Sequence, residues 1–522
     1  MVEEKVDLTL FDKCSQFCSK HKGELYDDVS INIHNTIDIQ DDKKTIECNT
    51  KEQIRNCFRE IKNIAFEKLN DLEFKNTIQV HDLVWQSGVP NYLGCRIPVH
   101  SNINVEFFRT HLKNYNDKII CELLEFGAPI GFEGKLDTCE SHVLNHKGAS
   151  DFSNDILNYL KKEASYGAII GPFKNNPFVS ELKISPLNTV TKRDSPERRV
   201  ILDLSFPSGK SVNDHISKEF YLGEKVELSY PNVDDLVGII KDKGPRCMLF
   251  KKDLNRAYRQ IPVCPDDIHF IGFSWENCLF VYRVLPMGLR SSAQICQRIT
   301  TAVCYMYFQM GFSAVNYLDD FGGAEILEHA QKAYECLGEL LNSCGLEESK
   351  KKSVEPTNRM TFLGVTFDTV SMTLEVTPER VVEISLLVQS WLRKKKASLK
   401  ELQSLLGKLH FISSCVRPGR VFVNRLLSWL RAAFPENSTG KHRVFRNIPN
   451  YVLKDLRWWE RYLSKFNGIS MMSIENWSAP DEMLSCDACL LGMGAISKNQ
   501  FFHTVFPEFF KKKIYTLIVL NY

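Results

Sequence analysis

Phe312-Ser313-Ala314-Val315-Asn316-Tyr317-Leu318-Asp319-Asp320-Phe321-Gly322-Gly323 is the stretch whose reading decides the fold. Two adjacent carboxylates stand between apolar runs, which predicts a β-hairpin with Asp319 and Asp320 at its tip. Successive side chains alternate across a strand, so neighbouring aspartates can serve one site only beside a turn, and a third carboxylate must come from an adjacent strand. The dipeptide alone proves little. Asp-Asp also occurs at 27, 41, 234 and 266, and a solvated acidic turn is the plain alternative.

The context lies 66 residues upstream, where Arg246-Cys247-Met248-Leu249-Phe250 reads as a buried strand running into Lys251-Lys252-Asp253-Leu254-Asn255-Arg256-Ala257-Tyr258. Asp253 then also stands at a strand end and is the natural third carboxylate. Hard divalent cations such as magnesium take oxygen ligands, commonly one or two carboxylates with substrate phosphates. Two such ions can clamp the attacking and leaving oxygens of an in-line phosphoryl transfer. Asp253, Asp319 and Asp320 are therefore the candidate metal ligands.

Four ordered stretches, Phe250 to Val263 (FKKDLNRAYRQIPV), Leu285 to Gln294 (LPMGLRSSAQ), Asn316 to Phe321 (NYLDDF) and Thr361 to Asp368 (TFLGVTFD), resemble the palm motifs of reverse transcriptases in order and spacing. More narrowly, Asn91 to Pro98 (NYLGCRIP), Gly167 to Phe178 (GAIIGPFKNNPF), Arg199 to Asp214 (RVILDLSFPSGKSVND) and Val416 to Phe422 (VRPGRVF) are similar to the DIRS-like, tyrosine-recombinase retrotransposons. The resemblance covers residues 85 to 510.

It implies an α+β right-hand polymerase: fingers, a palm with an antiparallel sheet and a helical thumb, followed by a connection and an incomplete RNase H-like segment. The blocks are 1–80, a charged leader of unknown role; 81–150, an extension before the polymerase; 151–372, fingers and palm; 373–470, thumb and connection; and 480–522, the RNase H-like segment.

The resemblance also assigns roles. Asp253 and Asp319 become the principal ligands of two magnesium ions, for which manganese can substitute. Asp320 is the third acidic position, and the Leu254 carbonyl is a further ligand on the triphosphate side. Lys352 is the lysine that can protonate leaving pyrophosphate, its register open by one or two residues within the run 350–352. Lys192 and Arg199 fall where the fingers bind triphosphate, lysine as a point charge and arginine bidentately. Tyr258 lies beneath the incoming sugar and collides with a 2′ hydroxyl, so the product is DNA. Gly288 permits close backbone approach, and Met287 stands where many retroviral relatives carry glutamine. Leu318 is an apolar contact to nucleotide or primer end, and Phe362-Leu363-Gly364 resembles the primer grip. Plain alternatives stay open beside these: exposed cations are common, Tyr258 suits a core, and 362–364 suits a buried strand turn.

Bulk properties bound the reading. A chain of 522 residues exceeds one ordinary core and implies several lobes. No apolar stretch is long enough to cross a bilayer and the start Met1-Val2-Glu3-Glu4-Lys5 is charged, so no membrane is expected and an intracellular location, cytoplasmic or nuclear, is. The 17 cysteines are scattered and odd in number, which suits reduced thiols. Cys14-x3-Cys18-x2-His21 lacks a fourth zinc ligand, and Cys486-x2-Cys489 lacks a partner pair. The net charge of +2 conceals an uneven distribution: residues 1–80 carry 16 acidic and 12 basic side chains, and residues 391–465 carry 4 acidic and 17 basic. Such a basic stripe can follow a phosphate backbone, or be a solvated helical face.

Local signals fill in the rest. Residues 151 to 170 read as an amphipathic helix ending near Gly167. Thr377-Pro378 offers an N-cap and proline at the first helical position, with Val381, Ile384, Leu387, Val388 and Trp391 at helical spacing. Ser398-x2-Glu401 is a capping box before Leu402, Leu405, Leu406 and Leu409. Lys394, Lys395, Lys396 and Lys408 form the candidate face for substrate. Ser485-Cys486-Asp487-Ala488 with Gly492-Met493-Gly494-Ala495 resembles the first strand of an RNase H domain. Where that family carries a helical glutamate the chain has Ile514-Tyr515-Thr516-Leu517, so Asp487 is vestigial and RNase H activity is expected to be absent.

The expectation is an RNA-directed DNA polymerase of a retroelement. Its partners are an RNA or DNA template with primer, deoxynucleoside triphosphates and other retroelement proteins; the oligomeric state is not readable. A decayed or domesticated nucleic-acid-binding protein is the alternative. An RNA-dependent RNA polymerase is a third reading, against which Tyr258 and the fingers motifs weigh.

Overall fold

The structure is a computed structural model that describes residues 52–64, 71–87, 98–134, 143–191, 198–226, 230–413, 415–416, 419–434, 444–463, 469–470, 484–488, 492–497 and 500–505. Most of the 1–80 leader, most of the 91–98 motif, Lys192, the Cys14-Cys18-His21 triplet, Cys489 and the 514–521 run lie outside the described residues. The chain divides into two compact units interleaved along the sequence. The first takes Met1–Pro231, Lys251–Gly322 and Lys332–Ser353; the second takes Asn232–Phe250, Gly323–Gln331 and Val354–Tyr522.

In the first unit the helix expected over 151–170 is two helices, Lys147–Asp151 and Ser153–Ser165, broken at Phe152, whose φ of −130° and ψ of 51° are not helical. The second ends where the sequence signalled. Gly167 takes a φ of 65°, and the Gly167 and Ala168 amides close the last turn on Ala164 O and Glu163 O. Its buried side, Ile156, Leu157, Leu160 and Ala164, packs against the strand Ile169–Phe173. That strand pairs antiparallel with Cys278–Tyr282, which pairs with Gly272–Trp275. Leu187–Thr191 and Arg198–Leu202 form a separate antiparallel pair.

The sheet that carries the acidic residues has the order Val354–Thr357, Met248–Asp253, Asp320–Glu325, Ala314–Tyr317. Its second strand occupies Met248–Asp253, where the sequence predicted Arg246–Phe250; Arg246 instead takes a left-handed turn, φ 62°. The hairpin at 314–325 is as expected, with Leu318 in the left-handed region at φ 55°. Glycine is required at 323, because a Cβ there would lie 2.4 Å from the Phe250 ring.

In the second unit a sheet runs Arg359–Phe362, Val365–Asp368, Thr373–Val376, Ile469–Ser470, all antiparallel. Helices Pro378–Leu392, Leu399–Ile412, Gly419–Ala433 and Asn450–Leu463 pack together around Trp391, Trp459 and the leucines of the second helix. Thr377 is the N-cap with proline next, but its side chain makes no capping bond; Ser398 and Glu401 form the full reciprocal box. Ile384, Val388 and Trp391 are buried as expected, whereas Val381 and Leu387 are half-buried. Leu484–Ala488, Gly492–Ser497 and Gln500–Val505 make an antiparallel three-stranded sheet. The described cysteines are free thiols, and among the described residues no helix is long and apolar enough to cross a membrane.

Candidate active site

Asp253 ends the strand Met248–Asp253, and Asp319-Asp320 close the hairpin beside it. The two are stitched together by the Leu254 amide, which donates to Asp319 O at 2.9 Å. The Asp253 carbonyl accepts from the Ser349 amide at 2.6 Å, which brings the segment carrying Lys352 to the same place. Lys352 Nζ donates to both carboxylate oxygens of Asp253, at 2.9 and 3.2 Å. Lys251 Nζ lies 2.7 Å from Asp320 Oδ1. Lys252, on the opposite face of the strand, is buried, ion-paired to Glu348 at 2.9 Å and stacked 3.7 Å above the Tyr334 ring.

The electrostatics follow from this crowding. Burial and a hydrogen bond with Asp320 push the Asp253 carboxyl up to about 6, against the opposing pull of Lys352. Burial also raises Asp319, with Asp320 adding and Lys352 and Lys251 subtracting. For Lys352, burial lowers the pKa but the bond to Asp253 and the three carboxylate charges outweigh it, so the ammonium is held above its ordinary range. Negative charge is thus in excess here. Among the described residues, however, no three His, Cys, Asp or Glu side chains are gathered as a ready-made metal cage.

Two residues that the sequence did not single out hold the hairpin in place. Gln297, fully buried on the helix Ser292–Gln309, accepts the Leu318 amide at 2.8 Å and donates to Asn316 O at 3.0 Å. The Asn316 side-chain Nδ2 in turn donates to Thr300 Oγ1 of that helix at 2.8 Å. A polar side chain at a buried helical position was the available signal, but it names no partner until the hairpin is seen above it.

The other expected residues sit as follows. Tyr258 lies in the 3-10 turn Ala257–Gln260, half-buried, and its phenol is raised by burial and then by Cys296 and Asp319. Tyr317 and Tyr230 are both partly exposed, with ring centroids 5.5 Å apart. Gly288 has a φ of 93°, and a Cβ there would meet Leu202 O at 3.2 Å. Its loop is clamped by Asn213, which donates to Gly288 O and accepts the Arg290 amide, each at 2.8 Å. Met287 is exposed. Arg199 is exposed on its strand, whereas neighbouring Arg198 is engaged with Thr189 and the Phe152 ring.

In the second unit, Leu363 and Gly364, at φ 50° and 75°, make the two-residue turn between Phe362 and Val365. Phe362 is fully buried, so the plain strand-turn reading holds for its side chain. The basic face needs revision: Lys394 is paired with Glu401 at 2.5 Å and Lys408 with Glu383 at 2.7 Å, leaving Lys395 and Lys396 as its exposed members. Asp487 is exposed and pairs with Gly494 across its ladder.

Comparison with known proteins agrees with this arrangement. The genome polyproteins of two isolates of Petunia vein clearing virus, Shepherd and Hohn, are each 28% identical to this chain over 169 residues. The match takes in 32% of this chain and 7% of the relatives' length. In fold, the chain resembles a foamy viral protease-reverse transcriptase dRH solved in complex with double-stranded DNA, with a TM-score of 0.51 at 18% identity, over 83% of this chain and 72% of that one. The family model described as Reverse transcriptase (RNA-dependent DNA polymerase) matches residues 190–367, and the strands and turns bearing Asp253, Asp319, Asp320 and Lys352 all fall within that matched stretch.

Proposed function

We propose that the chain is an RNA-directed DNA polymerase of a DIRS-like retroelement, extending a primer 3′ hydroxyl with deoxynucleotides. The observation that carries this reading is the stitching of Asp253 to the Asp319-Asp320 turn within the matched domain.

The donor set fits hard divalent ions. It is anionic and oxygen-only, and two of its carboxyls are raised, first by burial and then by the neighbouring Asp320. Asp253 and Asp319, with the Leu254 carbonyl and Asp320 beside them, would hold two magnesium or manganese ions. When bound, these lower the pKa of the primer hydroxyl and offset charge on the triphosphate. Lys352, kept protonated by the carboxylates, supplies a proton to departing pyrophosphate. Arg199 and Lys192 bind the triphosphate, Tyr258 excludes the 2′ hydroxyl, and Gly288, Met287 and Leu318 line the nucleotide. The 362–364 turn steadies the primer. RNase H activity is expected to be absent, because the chain has Ile514-Tyr515-Thr516-Leu517 where that family carries a helical glutamate. The chain works inside the cell on a primed RNA or DNA template.

Primer extension on an RNA template with deoxynucleotides and magnesium tests this, with Asp319→Asn as control. Extension by the parent and its loss of at least about a thousandfold in the variant is the expected result. A folded parent that binds primer-template yet extends nothing, in magnesium or manganese, would sink the polymerase reading in favour of a binding protein.

A further inference from the structure

We infer that a cavity of the first unit, walled by Arg256, Arg259 and Arg283, binds the phosphate group of a small phosphorylated molecule. The cavity measures about 410 Å³, within the range that takes small-molecule ligands. Its described lining belongs wholly to the first unit, and neither the carboxylates of the candidate active site nor Lys352 and Tyr258 are part of it. The inference therefore does not depend on the polymerase reading. His100 stands at the wall with the three arginines, and Glu347 is the one carboxylate among the described residues of the lining.

Arg259 and Arg256 differ in how their charge is met. Arg259 is ion-paired with Glu163 at 3.6 Å and donates through Nη2 to the Tyr159 hydroxyl at 2.6 Å, so its charge is balanced inside the fold. No described carboxylate pairs with Arg256, and its Nε and Nη1 are buried with no hydrogen-bond partner. The Tyr166 ring meets the face of that guanidinium, its centroid 3.0 Å from the central carbon. A guanidinium donates in its own plane, so the stacking leaves those donors unused. Burial lowers the Arg256 pKa, with Arg259 adding to this and Glu163, Tyr166 and Glu347 opposing. An unpaired buried charge is costly, and an anion in the cavity relieves that cost. The wall is also fixed in place: Arg256 holds a left-handed φ of 53°, and Gln260 donates to Asn255 O and accepts the Glu347 amide, each at 2.7 Å.

Phosphate is the anion that suits this arrangement. The planar fork of an arginine matches phosphate oxygens, and neighbouring arginines share the charge of a dianion. The terminal phosphate of a small molecule can enter a cavity wall of this kind, where the backbone of a duplex cannot. Calorimetric titration of the full chain with adenosine 5′-monophosphate, ribose 5-phosphate and inorganic phosphate reads the binding, with adenosine as the phosphate-free control. Working in EDTA keeps metal-dependent binding at the acidic residues out of the signal.

Adenosine 5′-monophosphate should bind saturably where adenosine does not, and Arg256→Met should weaken that binding by about tenfold or more. The same substitution removes an unpaired buried charge, so the ligand-free variant should be at least as stable as the parent. His100→Glu alters an exposed side chain at the wall and should also weaken binding, which keeps the test open if Arg256→Met does not fold. Inorganic phosphate binding as well as the esters assigns the site to the free ion, and tighter binding of an ester assigns it to a phosphorylated metabolite; both support the inference. No saturable binding of the three probes up to about 10 mM, equal binding of adenosine, or affinities unchanged in every folded variant would overturn it. Loss of binding in Lys352→Gln but not in the wall variants would place the phosphate at the acidic site and overturn it as well.

Discussion

Gln297 Oε1 accepts the backbone N–H of Leu318 at 2.8 Å, so the turn that presents Asp319 and Asp320 is held by a side chain of a neighbouring helix. Gln297→Met keeps the volume but leaves the Leu318 amide and the Asn316 carbonyl without that partner. The cost is about 1–3 kcal/mol in stability, because buried polar groups are left unpaired. Extension rate should fall while primer-template affinity stays within about twofold of the parent, since the change touches presentation of the carboxylates alone. Single-turnover kinetics beside a binding isotherm separate the two; a variant weakened only in affinity would contradict the assignment.

Tyr258 sits in the turn just after Asp253, and its phenol is raised by the charge of Asp319 as well as by burial, so it lies close to the candidate carboxylates. Tyr258→Ala should admit ribonucleotides, raising the ratio of ribo- to deoxynucleotide incorporation by at least about tenfold through relief of a steric clash. Competition assays with both nucleotide sets measure the ratio. An unchanged ratio assigns Tyr258 to packing.

Lys395 and Lys396 are the exposed members of the basic face. Lys395→Gln with Lys396→Gln should weaken primer-template binding and flatten the dependence of log Kd on log salt by about one unit for each phosphate that is no longer neutralised. The matching change at Lys408 should do less, because that ammonium is already committed to Glu383. Fluorescence anisotropy between low and moderate salt distinguishes the outcomes.

Acid sensitivity has an internal marker in the first unit. His269 and His81 are fully buried with ring centroids 4.9 Å apart; burial pushes His269 down to about 3 and lowers His81, with Asp82 and Asp266 opposing at His81. A depressed histidine is neutral in the fold, so its contribution is intact above the unfolded pKa near 6.5 and is lost as pH falls below it. Asp267, raised to about 8 by burial and Asp266, acts in the opposite sense, because its carboxyl is protonated in the fold first. The parent's own pH profile therefore mixes the two. The stability of His269→Phe relative to parent should rise by about 2 kcal/mol between pH 7 and pH 5, which thermal unfolding at the two pH values reads. A pH-independent difference would mean that the ring is not neutral in the fold.

Much of this site was legible because its chemistry dictates unusual residues at unusual places. Carboxylates at a hairpin tip and at a neighbouring strand end stand out once the two strands are read together, and the positions of Asp253, Asp319 and the 362–364 turn follow from local patterns alone. The capping box at Ser398 was equally local. Lys251, Gln297 and Asn213 were not legible as site residues, because each acts through a partner 69, 21 and 75 residues away. Strand alternation says that Lys251 shares a face with Asp253, but only the adjacent strand reveals Asp320 within reach. The break at Phe152 and the shift of the second strand to 248–253 turn on backbone angles that periodicity does not encode. The basic residues 394–396 and 408 were visible as charge, yet which ammonium is neutralised depends on Glu401 at Lys394 and Glu383 at Lys408.

The interleaving of the two compact units constrains how the gene can be cut. The polypeptide passes from one unit to the other after Pro231, Phe250, Gly322, Gln331 and Ser353, and two of those crossings fall inside strands of the sheet that bears the carboxylates. No single stretch of the reading frame encodes either unit alone: residues 1–353 carry the first with pieces of the second, and 232–522 carry the second with pieces of the first. A cut anywhere within 232–353 divides both units, and split or permuted versions that retain the acidic residues must break the chain elsewhere than within 248–253 and 320–325.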